Sequence, residues 1–391
     1  MYTVILKKGE EKRILSGHPW IYANEVSKIE GKDVQGSVAK VVNFDGKFIC
    51  YGFINHASKL IVRVLTRNEA TINDEFFYKR IKAANDYRVN LGYSNNYRVC
   101  FGESDLLPGL IVDKYGEYLS IQVLSLGMEV RKDMLISILV DIFKPKGIYE
   151  RSDVSVRVKE GLKEVKQLLY GDVPDKVIIE ENGIKMEIDI INGQKTGYFL
   201  DQKENRDNLK HYVKDKTVLD CFSNVGGFSM CASKYGAKSV TAVDISELAV
   251  NNIKRNAEIN GFKNITTVKA DVFEELRKYK SENKKFDVII LDPPAFIKTK
   301  DSVKNGYHGY RDINTIALKL LNKGGYLVTC SCSQPLTLNM FLEMIEESVR
   351  DSKVYARLVE VRAQGKDHAI LIGTDESSYL KVAVVQVLDV E

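Results

Sequence analysis

The stretch Val218-Leu219-Asp220-Cys221-Phe222-Ser223-Asn224-Val225-Gly226-Gly227-Phe228-Ser229 decides the fold class. A short apolar run typical of a buried strand ends at Asp220, and the glycine pair opens a helical pattern. Around this stretch, strand patterns alternate with helical patterns. The strand patterns cover 217–221, 239–243, 265–268, 286–291 and 325–330, and the helical ones cover 226–235, 247–260 and 314–321. We therefore predict a doubly wound, Rossmann-like α/β domain over 176–391, closed by an antiparallel hairpin of 354–362 and 379–388.

The loop after the first of these strands is the predicted ligand site, because open α/β sheets bind ligands at the carboxyl ends of their strands. Its candidate residues are Asp220, Phe222, Ser223, Asn224, Gly226 and Gly227. The glycines allow close backbone approach to a ligand. Asp220 repels a pyrophosphate but attracts the ammonium of an aminoacyl sulfonium. The GxGxxG fingerprint is also absent, so the loop favours S-adenosylmethionine over a dinucleotide.

Two further aspartates follow the next two predicted strands. Asp244 is placed to accept two ribose hydroxyls, and Asp271 to accept from an adenine amino group. Their neighbours Ile245 and Val272 are candidates for the same cofactor site. A single aspartate at such a place is usually a helix cap. Three aspartates after three successive strands favour the cofactor site.

The fourth strand runs into Asp292-Pro293-Pro294-Ala295-Phe296. The prolines fix an extended turn, so that Asp292 lies at the strand tip facing the crevice. Phe296 is placed to stack on a planar base. The alternative is a rigid turn followed by a core phenylalanine, but the position after the fourth strand favours the site.

The fifth strand ends in Cys330-Ser331-Cys332-Ser333. Methylating carbon 5 of a pyrimidine requires a thiolate that adds to carbon 6 and an acid that neutralises N3. Cys332 and Asp292 are the candidates for these roles, and the base must be unstacked to reach them. An inert buried cysteine is the common alternative. Strand alternation points both cysteines to the same side, so the pattern alone does not choose between them.

Upstream of this domain, the pattern predicts two smaller ones. Residues 1–70 alternate short apolar runs with Gly and Asn/Asp turns, which indicates a small β barrel or sandwich, either a generic β module or a small RNA-binding barrel. Residues 71–175 form a mixed α+β domain with helices at 72–91 and 128–143, two strands after Pro108-Gly109, and a connector at 161–174.

Composition narrows the class of protein. The chain of 391 residues carries 57 Lys/Arg and 53 Asp/Glu, and 11 of the basic but only 7 of the acidic residues lie within 1–70. That excess suits a nucleic-acid partner, although a soluble surface explains it almost as well. No apolar run is long enough to span a bilayer, and the N-terminus lacks a signal-peptide core, so we expect a cytoplasmic protein without membrane contact. The six cysteines show no metal-binding spacing, so we expect free thiols and no metal.

Several motifs together resemble one family over essentially the whole chain. They are Lys8-Gly9-Glu10 with Gly17-His18-Pro19-Trp20-Ile21-Tyr22, Gly102-Glu103-Ser104-Asp105 with Leu107-Pro108-Gly109-Leu110, 195–202 with Asn205-Arg206, Asp292-Pro293-Pro294-Ala295-Phe296, Gly309-Tyr310-Arg311-Asp312-Ile313-Asn314, and Ser331-Cys332-Ser333. The chain is similar to the large-subunit ribosomal RNA cytosine-C5 methyltransferases, which are class I enzymes dependent on S-adenosylmethionine with an N-terminal PUA domain.

The resemblance implies that Cys332 is the nucleophile and that Asp220, Asp244 and Asp271 line the cofactor site, and we count Asp292 as a further candidate for that site. It also implies that the segment holding Lys195, Phe199 and Gln202 helps close over the cofactor. Lys195, Pro293, Pro294, Phe296 and Tyr310 are the expected substrate contacts, with ribosomal RNA as the partner. Two residues depart from the family pattern, Cys330 as an extra thiol and Ala295 after the proline pair.

Other functions stay open at this point. One is an RNA methyltransferase that modifies a guanine or adenine nitrogen without a cysteine. A related module with a similar DPP loop methylates guanine N7, but it lacks Ser-Cys-Ser. Another is a non-catalytic RNA-binding assembly protein with a vestigial site, which the intact aspartates disfavour. A nicotinamide oxidoreductase is disfavoured by Asp220. The sequence leaves open the modified nucleotide, the choice between free RNA and an assembled subunit, the role of Cys330, and a homodimer.

Overall fold

The computed structural model describes residues 1–390, with Lys300 described by its backbone alone. The chain divides into two compact units. The first comprises 1–179, 188–200 and 366–377, and the second comprises 180–187, 201–365 and 378–390 of the described chain.

The first unit begins with a six-stranded sheet in the order β2-β6-β5-β4-β1-β3. Its elements are β1 (Tyr2–Leu6), α1 (Glu11–Leu15), β2 (Trp20–Tyr22), β3 (Val26–Glu30), β4 (Val38–Val42), β5 (Phe48–Ile54) and β6 (Leu60–Thr66). Most neighbouring strands are antiparallel, but β1 and β4 pair in parallel. Apolar side chains such as Val4, Val41 and Val62 are completely buried on its inner face. The prediction of a small β domain here is confirmed.

A second sheet in the same unit has the order β11-β10-β9-β8-β7. Its elements are α2 (Asp74–Asn90), β7 (Asn96–Phe101), β8 (Leu110–Tyr115), β9 (Tyr118–Val123), α3 (Leu126–Glu129), α4 (Lys132–Phe143), β10 (Gly147–Ser152) and β11 (Val165–Gly171). The predicted connector at 161–174 is wrong, because it contains β11. All seven residues of this edge strand are exposed or half-buried, and its short apolar stretch, Leu168-Leu169-Tyr170, shows no strand alternation that would reveal it. The helix predicted at 128–143 is two helices, separated at Val130 and Arg131.

A two-stranded hairpin of β12 (Val177–Glu181) and β13 (Ile184–Ile188) follows where the chain passes between the units. The second unit then contains α5 (Lys203–Asp207), β14 (Thr217–Cys221), α6 (Gly227–Lys234), β15 (Ser239–Asp244), α7 (Glu247–Asn260), β16 (Ile265–Lys269), α8 (Val272–Ser281), β17 (Phe286–Leu291), α9 (Val303–Leu320), β18 (Leu321–Ser331), α10 (Leu338–Ser352), β19 (Ala356–Arg362) and β20 (Lys381–Val387).

The second unit is built on a seven-stranded sheet in the order β16-β15-β14-β17-β18-β20-β19. The first five are parallel, and β20 and β19 close the edge antiparallel to β18 and to each other. Its centre is fully apolar because helices cover both faces of such sheets, and residues 288–291 of β17 are completely buried. The predicted Rossmann-like fold and its closing hairpin are confirmed. This topology brings the ends of β14, β15, β17 and β18 to one edge.

Candidate active site

The loop of residues 220–227 after β14, here called the cofactor loop, turns sharply through left-handed backbone conformations. Phe222, Asn224 and Gly226 have φ values of 62°, 51° and 87°. A Cβ atom at Gly226 would lie 3.1 Å from atoms of both Ile253 and Met230. Glycine is therefore favoured there by its positive φ, any larger residue would push Ile253 or Met230 aside, and glycine lets the backbone turn directly into α6.

Asp220 ends β14 with its carboxylate buried, at 1% exposure. Its Oδ2 accepts a hydrogen bond from the Ser229 hydroxyl at 2.6 Å, whereas Oδ1 is buried without a hydrogen-bond partner among the described residues. Burial raises the pKa of Asp220 to about 7, the Ser229 hydroxyl opposes that rise, and the charge of Asp292 adds to it. A buried acceptor without a donor is costly, so this carboxylate suits a cationic donor supplied by a ligand.

The other two predicted cofactor aspartates are held by nearby backbone. Asp244 accepts from the amides of Asn224 and Ser246, both at 2.9 Å, which ties the cofactor loop to the end of β15. Asp271 caps α8, its Oδ1 accepting from the amides of Phe273 at 2.8 Å and Glu274 at 3.2 Å. Both aspartates are half-buried. The capping alternative is therefore true of Asp271, and its Oδ2 accepts no hydrogen bond among the described residues.

The remaining cofactor candidates lie beside these aspartates with different exposures. The Ser223 hydroxyl donates to the carbonyl of Asp220 at 2.7 Å, so it braces the loop. Gly227 is buried as the first residue of α6. Ile245 is 66% exposed, while Val272 is only 3% exposed and packs in the core. Val272 can therefore meet a ligand only through its backbone.

Asp292 follows β17 at the start of residues 292–296, here called the Asp292 loop, and is oriented by a series of hydrogen-bonded side chains. Gln202 donates from Nε2 to Oδ1 of Asp292 at 2.9 Å, and Asn205 donates to Oε1 of Gln202 at 2.7 Å. Arg362 in turn donates from Nε to Oδ1 of Asn205 at 2.9 Å. The carboxylate is thus oriented by residues far from it in sequence. Of the two prolines that follow, Pro293 is buried and Pro294 is exposed.

The two candidate cysteines occupy different environments. Cys330 is completely buried within β18, and burial raises the pKa of its thiol far above the usual range. Cys332 is half-buried just beyond the end of β18, and its Sγ–H points to the Pro293 carbonyl at 3.9 Å. The two thiols interact electrostatically with each other, and the charge of Asp292 also acts on Cys330, so burial distinguishes them and not the side of the strand. Only Cys332 combines exposure with proximity to the Asp292 loop.

Phe296 and Tyr310 pack together on the inner side of the Asp292 loop. Their ring centroids are 4.7 Å apart, and Phe296 also contacts the rings of Phe222 and Phe273. Tyr310 is completely buried, and its hydroxyl forms a hydrogen bond with Ser333 Oγ at 2.8 Å. We infer that Tyr310, predicted as a substrate contact, instead supports the turn of Ser331–Ser333, here called the Ser-Cys-Ser turn.

Two predicted site residues, Lys195 and Phe199, belong to the first unit. There the Lys195 ammonium lies 4.3 Å from the centre of the Phe199 ring. The structure brings the other candidates together within the second unit: Gln202 before the sheet, the cofactor loop, Asp244, Asp271, the Asp292 loop and Cys332.

Three polar residues of this site were not predicted as part of it. Ser229 binds Asp220, Asn205 binds Gln202, and Lys381 donates to the Ser333 carbonyl at 2.7 Å. Ser229 carries a local signal, since it lies in the first turn of the helix that the glycine pair opens. Lys381 carries a weaker one, as a lysine at the start of a strand that is otherwise apolar except for Gln386.

Across residues 1–390, no helix is long and apolar enough to cross a membrane. Within the same range, no cluster of three or more His, Cys, Asp or Glu side chains could hold a metal ion. All six cysteines are free thiols.

Comparison with known proteins identifies the family. Residues 163–365 match the family described as S-adenosylmethionine-dependent methyltransferase, and residues 4–67 match a PUA-like domain. The chain belongs to the S-adenosylmethionine-dependent methyltransferases. Its cofactor is S-adenosylmethionine, as Asp220 predicts, and the unpartnered Oδ1 of that residue is an acceptor suited to the cofactor's ammonium.

Relatives of this methyltransferase agree in length and fold. It is 40% identical over 390 residues to Ribosomal RNA large subunit methyltransferase I of Aeromonas salmonicida, covering 98% of each chain. A structure described as a SAM-dependent methyltransferase from Streptococcus mutans aligns with a TM-score of 0.84 at 22% identity, over 99% of this chain and 100% of that one. A methyltransferase solved in complex with SAH aligns with the same values. At that identity, the solved structures establish the fold alone.

Proposed function

We propose that this methyltransferase forms 5-methylcytosine in large-subunit ribosomal RNA, with Cys332 as nucleophile. The single observation that carries the proposal is the placement of an accessible thiol, Cys332, against the carbonyl of Pro293, next to Asp292. A methyltransferase that acts on an exocyclic or ring nitrogen needs no such thiol, because a nitrogen lone pair attacks the methyl group directly. Carbon 5 of cytosine, in contrast, becomes nucleophilic only after addition to carbon 6.

The cofactor-binding residues have distinct tasks in this proposal. Asp220 accepts from the ammonium of S-adenosylmethionine with its free Oδ1. Asp244 accepts from the ribose hydroxyls, and Asp271 accepts from the adenine amino group with Oδ2, since its Oδ1 is used in capping α8. S-adenosylmethionine supplies the methyl group as an electrophile on a positively charged sulfur. The charges of Asp292 and Asp244 both act on Asp220, so this edge of the sheet favours a cationic ligand.

The reaction uses the Asp292 loop and the Ser-Cys-Ser turn together. The Cys332 thiolate adds to carbon 6 of a flipped cytosine while Asp292 neutralises the charge that develops at N3. Carbon 5 would then take the methyl group as the bond from that methyl to the sulfonium sulfur of S-adenosylmethionine breaks, leaving a neutral thioether. Loss of the carbon 5 proton to a base, cleavage of the bond from Sγ to carbon 6 and return of the N3 proton to Asp292 restore the aromatic ring, the thiolate and the acid. Gln202 holds Asp292 in place throughout.

Two observations support ribosomal RNA as the substrate: the name of a relative and the PUA-like domain near the N-terminus. The Aeromonas salmonicida relative is named for large-subunit ribosomal RNA, and its similarity covers 98% of this chain. The PUA-like domain at 4–67 coincides with the segment that carries the basic excess. We infer that this domain supplies electrostatic contacts to RNA.

The test compares ribosomal RNA from cells with and without the protein. Mass analysis of nucleosides should show 5-methylcytidine lost from the large-subunit RNA of deficient cells. Mapping should place that loss at one site, which purified protein and S-adenosylmethionine restore. Loss of a methylated guanosine or adenosine instead would support a nitrogen methyltransferase. Unchanged nucleosides together with no calorimetric binding of S-adenosylmethionine would support an assembly protein.

A further inference from the structure

Lys381 is a buried lysine beside the proposed nucleophile. It is the first residue of β20 and is only 7% exposed. Its Nζ donates to the backbone carbonyls of Ser333 at 2.7 Å and Tyr379 at 2.8 Å. The first bond joins Lys381 to the residue directly after Cys332, so it fixes the far end of the Ser-Cys-Ser turn.

Among the described residues, the charge of Lys381 has no carboxylate partner. Both of its hydrogen-bond acceptors are neutral carbonyls, and within the described chain no ion pair includes it. Burying an ammonium without a nearby anion costs several kcal/mol of free energy, which other interactions of the group must offset. Burial lowers the pKa of Lys381 to about 8, while the negative charge that Cys332 carries as a thiolate opposes that shift. The nearby anion that suits this cation is therefore the Cys332 thiolate.

Three titratable groups near Cys332, namely Asp292, Cys330 and Tyr310, supply no positive charge. Asp292 adjoins the Pro293 carbonyl that Cys332 contacts, and its carboxylate disfavours a neighbouring thiolate. Cys330 on β18 and Tyr310 on α9 are neutral, because burial raises the pKa of each. Lys381 thus opposes the effect of Asp292.

We propose that Lys381 is a positioning residue that clamps the Ser-Cys-Ser turn through the Ser333 carbonyl and stabilises the thiolate of Cys332 with its ammonium. This role rests on the proposed function of Cys332 as nucleophile. It goes beyond that function by naming the group that keeps the nucleophile reactive next to a carboxylate. A third N–H of the ammonium, not used by the two carbonyls, is available to the thiolate.

The test is the pH dependence of Cys332 alkylation by iodoacetamide, measured without RNA or cofactor. Fragment ions in mass spectrometry distinguish Cys332 from Cys330 on the same peptide. In the unaltered protein, we expect a midpoint below the pH of about 8.5 at which an ordinary thiol ionises. In Lys381→Met, the midpoint should rise by about 1–2 pH units, because a neighbouring cation is lost. Lys381→Arg should restore most of the shift.

Two results would overturn the role of Lys381: a midpoint in the unaltered protein at or above that of an ordinary thiol, or the same midpoint in Lys381→Met. Calorimetric binding of S-adenosylmethionine checks that each variant is folded. If Lys381→Met does not fold, the alkylation midpoint of Cys332 in the unaltered protein, compared with that in Lys381→Arg, still tests the role of Lys381. Because alkylation needs no substrate, a lowered midpoint without any 5-methylcytidine would uphold this role and refute only the proposed function.

Discussion

The active site has two parts at the carboxyl edge of the sheet: the loops after β14, β15 and β16, here called the cofactor end, and the loops after β17 and β18, here called the reactive end. Different kinds of contact hold these two ends. At the cofactor end, Asp244 and Asp271 accept hydrogen bonds from backbone amides two or three residues away or in the adjoining loop. At the reactive end, Asp292 is oriented by Gln202, which lies 90 positions earlier in the chain, and the Ser-Cys-Ser turn is held by Lys381, 48 positions after Ser333. The cofactor end is thus a local structure, whereas the reactive end depends on tertiary packing.

The largest expected effect distinguishes the two thiols of the reactive end. Cys332→Ser should lower the methylation rate by at least about 10³-fold, because a neutral hydroxyl is a poor nucleophile toward carbon 6. Cys330→Ala is the matched control and should retain most of its activity, since that thiol is completely buried. Single-turnover methylation of an RNA fragment measures both. Equal losses in the two variants would contradict the assignment.

The next effect concerns the acid of the reactive end. Asp292→Asn should lower the methylation rate by about 10²- to 10³-fold, because it removes the proton donor for N3. The amide is similar in size and keeps an oxygen that can accept from Gln202. Binding of S-adenosylmethionine should therefore change much less than the rate, as calorimetry alongside the kinetics would reveal. A variant that binds the cofactor poorly but reacts at the normal rate once saturated would place Asp292 at the cofactor end instead.

At the cofactor end, Asp220→Asn should weaken S-adenosylmethionine binding by about 10- to 100-fold, because a hydrogen bond to a charged group is worth about 1.5–3 kcal/mol. The pKa of Asp220, raised by burial to about 7, also predicts a pH dependence. Affinity should fall as the pH drops below about 7 and the carboxylate is protonated, and the variant should lack this dependence. Calorimetry between pH 6 and pH 8 would measure both, and an equal pH dependence in the variant would exclude Asp220 as its source.

The same carboxylate should affect stability with the opposite sign. Its folded pKa, about 7, lies above its ordinary value of 3.8, so the protonated form stabilises the cofactor-free protein. That contribution is complete at low pH and is lost as the pH rises through about 7. In Asp220→Asn, the melting temperature should therefore decline less between pH 6 and pH 8 than in the unaltered protein. Parallel declines in thermal unfolding would indicate that the buried carboxylate is not the cause.

The smallest effect tests how far the reactive end depends on distant contacts. Asn205→Ala removes the donor to Gln202 and should lower the methylation rate by about 5-fold, the equivalent of about 1 kcal/mol for one hydrogen bond. Ser223→Ala, which removes a brace of the cofactor loop, is the control and should alter cofactor affinity more than rate. Steady-state kinetics with both substrates separates these outcomes. A variant of Asn205 with unchanged rate would show that Asp292 is oriented without this chain of side chains.

This difference between the two ends also explains what the sequence could predict. The apolar strands of the second unit mark their own ends, so Asp220, Asp244, Asp271, Asp292 and Cys332 could be placed at one sheet edge by counting strands. Asn205 and Lys381 could not, because nothing near them in sequence indicates which distant group they contact. Cys330 was ambiguous because strand alternation places it on the same side as Cys332 and does not reveal that it is completely buried. The edge strand β11 was missed because its side chains face solvent.

The central claim is that Cys332 forms a covalent bond with cytosine, and RNA carrying 5-fluorocytosine at the target tests it most directly. Fluorine at carbon 5 cannot leave as a proton does, so the adduct should persist after methyl transfer. We predict a denaturation-resistant complex of protein and RNA whose cross-linked peptide, identified by mass spectrometry, contains modified Cys332 and is absent in Cys332→Ala. Full methylation of cytosine by Cys332→Ala, or an adduct at Cys330, would contradict the account.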